Sequence, residues 1–174
     1  MKTVMIVSDS HGLKDELAMI KKRHQGEADA FIHCGDSELD YESEWMEGFR
    51  RVRGNCDFDT NYPNEVDFLL DNVKFYVTHG HLYRVKSTLM PLSYRAEEVG
   101  ADIVCFGHSH FATAEKVGNT LLINPGSINQ PRGRLEKTYA KLTWEDNSHF
   151  HVQFLDLEGN EVPELTKSFV FGQD

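Results

Sequence analysis

Apolar runs that stop abruptly at polar residues recur along this chain, and their spacing predicts both its layers and its chemistry. The first run, Thr3-Val4-Met5-Ile6-Val7, is partly β-branched and ends in Ser8-Asp9-Ser10-His11-Gly12, where an acid and an imidazole stand two positions apart and a glycine lets the backbone turn. Three later segments repeat the device: Ala30–Cys34 ends in Gly35-Asp36, Val73–Thr78 in His79-Gly80-His81, and Ile103–Phe106 in Gly107-His108-Ser109-His110. A fifth, Phe49–Arg53, closes in Gly54-Asn55-Cys56-Asp57, where Asn and Gly favour a tight loop. The pattern predicts one site assembled from several strand ends.

Between the runs, Leu13–His24 carries Leu13, Leu17 and Ile20 at helical spacing with Lys14, Asp15, Glu16, Lys21 and Lys22 on the other side. Strand, helix and strand within some thirty residues make a βαβ unit, whose right-handed crossover leaves both carboxyl ends on one edge and brings Asp9, His11 and Asp36 together. The acidic stretch Glu38–Gly48 spaces Tyr41, Trp45 and Met46 as a short helix would. Glu65–Leu70 and Val73–Thr78 flank Asp71-Asn72 as a hairpin, and Lys86–Val99 reads as a helix with Pro91 near its start or at a kink. From Ala112 onward the segments Thr113–Val117, Leu121–Asn124, Thr138–Trp144 and Phe150–Leu155 predict antiparallel meanders. The expected fold class is α/β, with two mixed β-sheets packed face to face and helices on the outer faces, an α/β/β/α sandwich.

At 174 residues the chain is expected to form a single domain, 1–174, with a core large enough to fold without disulfides. Cys34, Cys56 and Cys105 are odd in number and lack a C-x-x-C spacing, so they read as compact space-filling residues. Apolar runs fall far short of the roughly 20 residues that cross a bilayer, and Met1-Lys2-Thr3 leads straight into a strand. The expectation is a soluble cytoplasmic protein with no membrane partner. With 18 basic and 28 acidic residues the formal net charge is −10, which argues against a protein that grips nucleic acid; a nuclease is the weakest functional reading.

Carboxylate oxygens and imidazole nitrogens at these strand ends suit Mn²⁺, Fe²⁺ or Zn²⁺, with Ni²⁺ also in range. Two such cations about 3.5–4 Å apart can share one carboxylate and one water and clamp an in-line displacement at phosphorus. Asp36 is the natural bridge. Two divalent ions against Asp9 and Asp36 leave a positive centre even in an acidic chain. If Gly107-His108-Ser109-His110 is extended, alternation points both imidazoles one way and Ser109 elsewhere. His33 reads as a buried supporting histidine, and His149-Phe150-His151 as a solvated face beside a buried Phe150.

The order Asp9-x-His11, Gly35-Asp36, Gly54-Asn55, His79-Gly80-His81, Gly107-His108-x-His110 resembles the calcineurin-like metallophosphoesterase superfamily, and most closely its small phosphodiesterase branch near Vps29 and the YfcE-type enzymes. The resemblance runs from Thr3 to about Arg132 and implies two divalent metal ions, with Mn²⁺ first. It places Asp9, His11, Asp36 and His110 on one metal, and Asp36, Asn55, His79 and His108 on the other. It further implies hydrolysis of a small-molecule phosphate ester by a metal-bridging hydroxide, at a shallow site without a capping domain, and leaves room for a homo-oligomer. One departure stands out: much of the superfamily has a histidine after Gly-Asn, and here that residue is Cys56, which leaves the general acid unassigned. His81 is then the candidate for substrate contact or proton donation, and Asp57 for orienting a ligating histidine. Arg132 reads either as a group that reaches a phosphate or as a partner in a surface salt bridge, and Asn124-Pro125-Gly126-Ser127, also seen in relatives, reads as a turn beside the site. A Vps29-like interaction scaffold with vestigial or no catalysis is the alternative.

Overall fold

Side chains alternate along β1 (Lys2–Val7), so one strand feeds two cores: Val4 and Ile6 point between the sheets, while Met5 and Val7 point outward under a helix. All four are fully buried, which explains why the run is continuously apolar rather than alternating. The computed structural model describes residues 1–172.

The outer layer over β1 is α1 (Asp15–His24), whose Leu17 and Ile20 pack on Met5, Val7 and Tyr139. Asp15 and Glu16 at its start and Lys21 to His24 at its end complement the helix dipole. The chain then adds β2 (Ala30–His33) and β3 (Phe49–Arg51), each parallel to its neighbour. On the other side of β1 lie β9 (Thr138–Trp144), β10 (His149–Asp156) and β11 (Lys167–Val170), all antiparallel. The six strands run in the order β11-β10-β9-β1-β2-β3.

The second sheet has five strands, β4 (Glu65–Leu70), β5 (Val73–Thr78), β6 (Ile103–Cys105), β8 (Thr120–Pro125) and β7 (Ala112–Val117), in that spatial order. Its two middle pairings are parallel and its two outer ones antiparallel. Phe75, Val77, Ile103, Leu121 and Ile123 face the first sheet, and Tyr76, Val104 and Leu122 carry α2 (Met90–Val99) through Leu92 and Ala96. Two mixed sheets face to face, with one helix outside each, form the expected sandwich. No helix among the described residues is long and apolar enough to cross a membrane.

Three elements differ from the sequence reading. Residues 38–48 form successive turns, with Ser43 N–H bonding to Asp40 O and Met46 N–H to Ser43 O, because the Ser43 hydroxyl competes locally for the Trp45 N–H and Glu38 starts the segment at φ 57°. The second helix begins at Met90 rather than Lys86, with Pro91 in its first turn and Arg84 in a left-handed conformation upstream. The strand β11 was not predicted: it is four residues long, lies at a sheet edge, and buries little.

Candidate metal centre

The parallel strands β1 and β2, and β5 and β6, all end on one edge of the sandwich, and that edge gathers most of the motif residues. His110 Nε2 lies 3.2 Å from Asp9 Oδ1, and His79 Nε2 lies 3.2 Å from Asp36 Oδ2 and 3.7 Å from Asp9 Oδ1. His11 Nε2 is 3.8 Å from Asp9 Oδ1 and 4.0 Å from Asp36 Oδ2. The ring of His108 stands 5.1 Å from that of His79, and its backbone N–H donates to Asp9 Oδ2 at 3.1 Å. Asn55 is exposed, and its amide donates a long 3.6 Å hydrogen bond to Cys56 Sγ.

Three imidazoles are held by their Nδ1 atoms. His79 Nδ1 donates to Cys34 O at 2.8 Å and His110 Nδ1 to Gln130 O at 2.7 Å, since a carbonyl can only accept. His11 Nδ1 meets Glu38 Oε1 at 2.8 Å. This support orients each Nε2 toward the two aspartates, the arrangement metal-binding histidines adopt. Asp9 Oδ1 and His79 Nε2 are buried yet make no hydrogen bond, although acceptors crowd around both. Convergent lone pairs in a buried cluster require positive charge between them, so a divalent cation fits this donor set. Groups of three potential ligand atoms, Asp9–His11–His110 and Asp9–Asp36–His79, each fall within 4.8 Å of one another.

Without a cation, protons take its place. Burial pushes the Asp9 carboxyl up, but the His110 imidazole 3.2 Å away and the charge of His79 hold it below its usual value. Burial likewise works against a charged His79, yet Asp36 and Asp9 raise it. The Asp9 carboxylate also raises His110. His108, by contrast, is pushed down to about 4 by burial and by the charge of His79. His81 opens a single 3-10 turn, His81–Tyr83; burial lowers it, and its Nδ1 is buried without a partner. Burial and the charge of Asp36 push the Cys56 thiol up to about 11.

The local backbone is unusual. Asp9, His11, Asp36, His108 and His110 all have φ between 43° and 72°, the left-handed region that costs a residue with a Cβ about 1–2 kcal/mol. This corrects the extended reading of Gly107–His110: His108 and His110 are left-handed, and they diverge, His108 toward His79 and His110 toward Asp9. Gly107 is required there, because a Cβ would sit 2.0 Å from Ser8 Oγ. Asp57 also differs from its expected role. It reaches no histidine; its oxygens accept from Asp36 N at 2.9 Å, Gly54 N at 2.7 Å and Glu38 N at 2.8 Å. It therefore fixes the turn that presents Asp36.

Glu38 is the orienting carboxylate that the sequence did not reveal, because it lies inside an acidic run whose members look alike. The Asn124–Ser127 turn also reaches the site: Ser127 Oγ donates to Asp9 O at 2.7 Å.

A two-sheet sandwich whose strand ends converge Asp and His donors in this order defines a metallophosphoesterase. The calcineurin-like phosphoesterase superfamily domain matches residues 1–147, and the chain belongs to that superfamily. It is 50% identical over 162 residues to "probable metallophosphoesterase YsnB" of Bacillus subtilis, covering 93% of this chain and 95% of that protein. The crystal structure of a Streptococcus pneumoniae TIGR4 protein described as a predicted phosphoesterase superposes with a TM-score of 0.93 at 40% identity, covering 97% of both chains. "Phosphodiesterase YfcE" of Escherichia coli K12 is 31% identical over 99 residues, 52% of this chain and 50% of that protein.

Proposed function

We propose that this protein is a metal-dependent phosphodiesterase that hydrolyses small phosphate esters at a dinuclear centre. Asp9, His11, Asp36 and His110 would hold one divalent cation and Asp36, Asn55, His79 and His108 the other, with Asp36 shared and Mn²⁺ the first candidate. When bound, such a pair would supply Lewis-acid charge to the phosphoryl oxygens and lower the pKa of a bound water. The observation that carries this reading is the buried, unpartnered pair Asp9 Oδ1 and His79 Nε2, set among imidazoles whose Nδ1 atoms are already engaged.

The chain's own groups do the rest. Asp57 keeps the Asp36 turn rigid, and the Cys34 and Gln130 carbonyls keep His79 and His110 aimed inward. His81, whose ring lies 5.4 Å from that of His79, is neutral at physiological pH and serves as a hydrogen-bond donor to the leaving oxygen. A groove of about 580 Å³, lined by Val85, Lys86, Phe106, Phe111, Glu115 and Arg132, starts at the His108–His110 turn; its two cations outnumber its one carboxylate, and it offers space to the organic part of an anionic ester. The YfcE likeness supports diester chemistry, and the name of YsnB supports phosphoesterase chemistry.

Turnover of bis-p-nitrophenyl phosphate with added Mn²⁺ tests the reading. Asp36→Asn and His108→Ala are expected to lose activity by at least about a hundredfold, the upper end of what an outer-shell change costs. An inactive wild-type protein in excess metal would overturn the enzyme reading in favour of an interaction scaffold.

A further inference from the structure

Cys56 occupies a position with chemistry of its own. One ligand atom each from His11, Asp36 and Cys56 lies within 4.8 Å of the others, as holds also for Asp9–His11–His110. The backbone that carries the thiol is held in place, because the Cys56 N–H donates to Asp36 Oδ1 at 2.8 Å while Asp57 ties down Asp36 N and Gly54 N. Asn55 Nδ2 reaches the sulfur itself at 3.6 Å. Around the same Asp36 carboxylate, His79 Nε2 lies 3.2 Å from Asp36 Oδ2 and 3.7 Å from Asp9 Oδ1, and both His79 Nε2 and Asp9 Oδ1 are buried with no hydrogen-bond partner, an independent sign that the space next to Asp36 is made for a cation. Cys34 and Cys105 are sealed in the core between the sheets, whereas Cys56 is only partly buried and borders a carboxylate and an imidazole, so packing an apolar gap does not explain it.

We infer that Cys56 is a metal ligand: its thiolate joins His11 and Asp36 around one cation and gives the centre a soft donor that favours thiophilic ions such as Zn²⁺ and Co²⁺ over Mn²⁺. This rests on the dinuclear reading above and adds to it a determinant of metal choice. Binding breaks the S–H bond, releases its proton to solvent and forms a metal–sulfur bond, with no change of oxidation state. Hard Mn²⁺ gains little from sulfur, so it would be held by the oxygen and nitrogen donors alone.

Cobalt titration of the full-length protein, followed by absorption, tests this directly. Wild-type protein is expected to show visible Co²⁺ ligand-field bands together with a near-ultraviolet sulfur-to-cobalt band. Cys56→Ser and Cys56→Ala are expected to keep the first and lose the second. In competition, both variants should lose Zn²⁺ affinity by about tenfold or more while Mn²⁺ affinity stays within about twofold. Ligand-field bands without the sulfur band in wild type, a sulfur band that survives in both variants, or equal loss of Zn²⁺ and Mn²⁺ would each overturn the assignment. Absence of ligand-field bands in every protein would overturn the metal centre itself, and Cys56 ligation with it.

Discussion

The Nε2 atoms of His11 and His110 lie 3.4 Å apart although 99 positions separate the two residues. His110 spends its Nδ1 proton on Gln130 O, and His11 Nδ1 faces Glu38. Two lone pairs at that distance repel unless a proton or a cation lies between them. Positive charge, a proton or a cation, therefore holds this edge of the sandwich together.

Stability should accordingly depend on metal. A ligand at a hundred times its dissociation constant adds about 2.7 kcal/mol to the folded state, which in a chain of this size raises the midpoint by roughly 5–10 °C. Thermal unfolding with Mn²⁺ and with EDTA measures the difference, and His110→Ala is expected to abolish most of it. An equal midpoint in both conditions would count against a metal centre here.

Glu38 offers a sharper test of orientation. Its carboxylate meets His11 Nδ1 at 2.8 Å, so Glu38→Ala leaves the imidazole free to rotate while touching no proposed ligand atom. Metal affinity by calorimetry should fall about tenfold to a hundredfold, and Glu38→Gln, which keeps an acceptor but no charge, should fall less. An unchanged affinity in Glu38→Ala would show that His11 needs no such support.

Gly54 is a place where a single methyl group should empty the site without unfolding the protein. A Cβ there would stand 2.1 Å from Asp36 Oδ1 and 2.5 Å from Asp36 N, and that nitrogen is pinned by Asp57. Overpacking of this kind costs about 1–3 kcal/mol, absorbed here by displacing Asp36. Gly54→Ala is expected to keep its circular dichroism and lose metal binding; retained binding would mean the turn yields in another way.

Much of this was legible because two signals coincided. Hydrophobic runs such as Thr3–Val7 announce buried strands, and the βαβ spacing forces their ends to one edge, so the sequence itself groups Asp9, His11 and Asp36. What stayed hidden breaks local rules. Nothing in Gly107-His108-Ser109-His110 announces two left-handed histidines, because tertiary contacts such as the Asp9–His108 hydrogen bond impose them. Asp57 sits beside the site as expected but bonds to backbone N–H groups instead of a histidine, a role that leaves no pattern in the side chains around it. The strand β11 was missed because four half-exposed residues at an edge carry almost no hydrophobic signal.

His33 makes the acid limb of stability predictable. Gly35 N–H donates to its Nδ1 at 3.1 Å, which places the ring proton on Nε2, where it donates to Ser10 Oγ at 2.8 Å. The ring thus ties the β2 turn to the β1 turn as a neutral, fully buried group, and burial pushes its pKa from 6.5 down to about 4 against the pull of Asp9. Between those two values the unfolded chain binds a proton that the folded chain refuses, so the contribution of His33 to stability falls as pH drops from about 6.5 to about 4 and is constant above that window. The shift corresponds to at most about 3 kcal/mol. Urea unfolding of metal-free wild type and His33→Gln across this range should show the wild type losing more stability than the variant, the gap widening toward the acid end. Parallel pH profiles would mean that His33 is charged in the folded protein, and the neutral bridge between Ser10 and Gly35 would have to be abandoned.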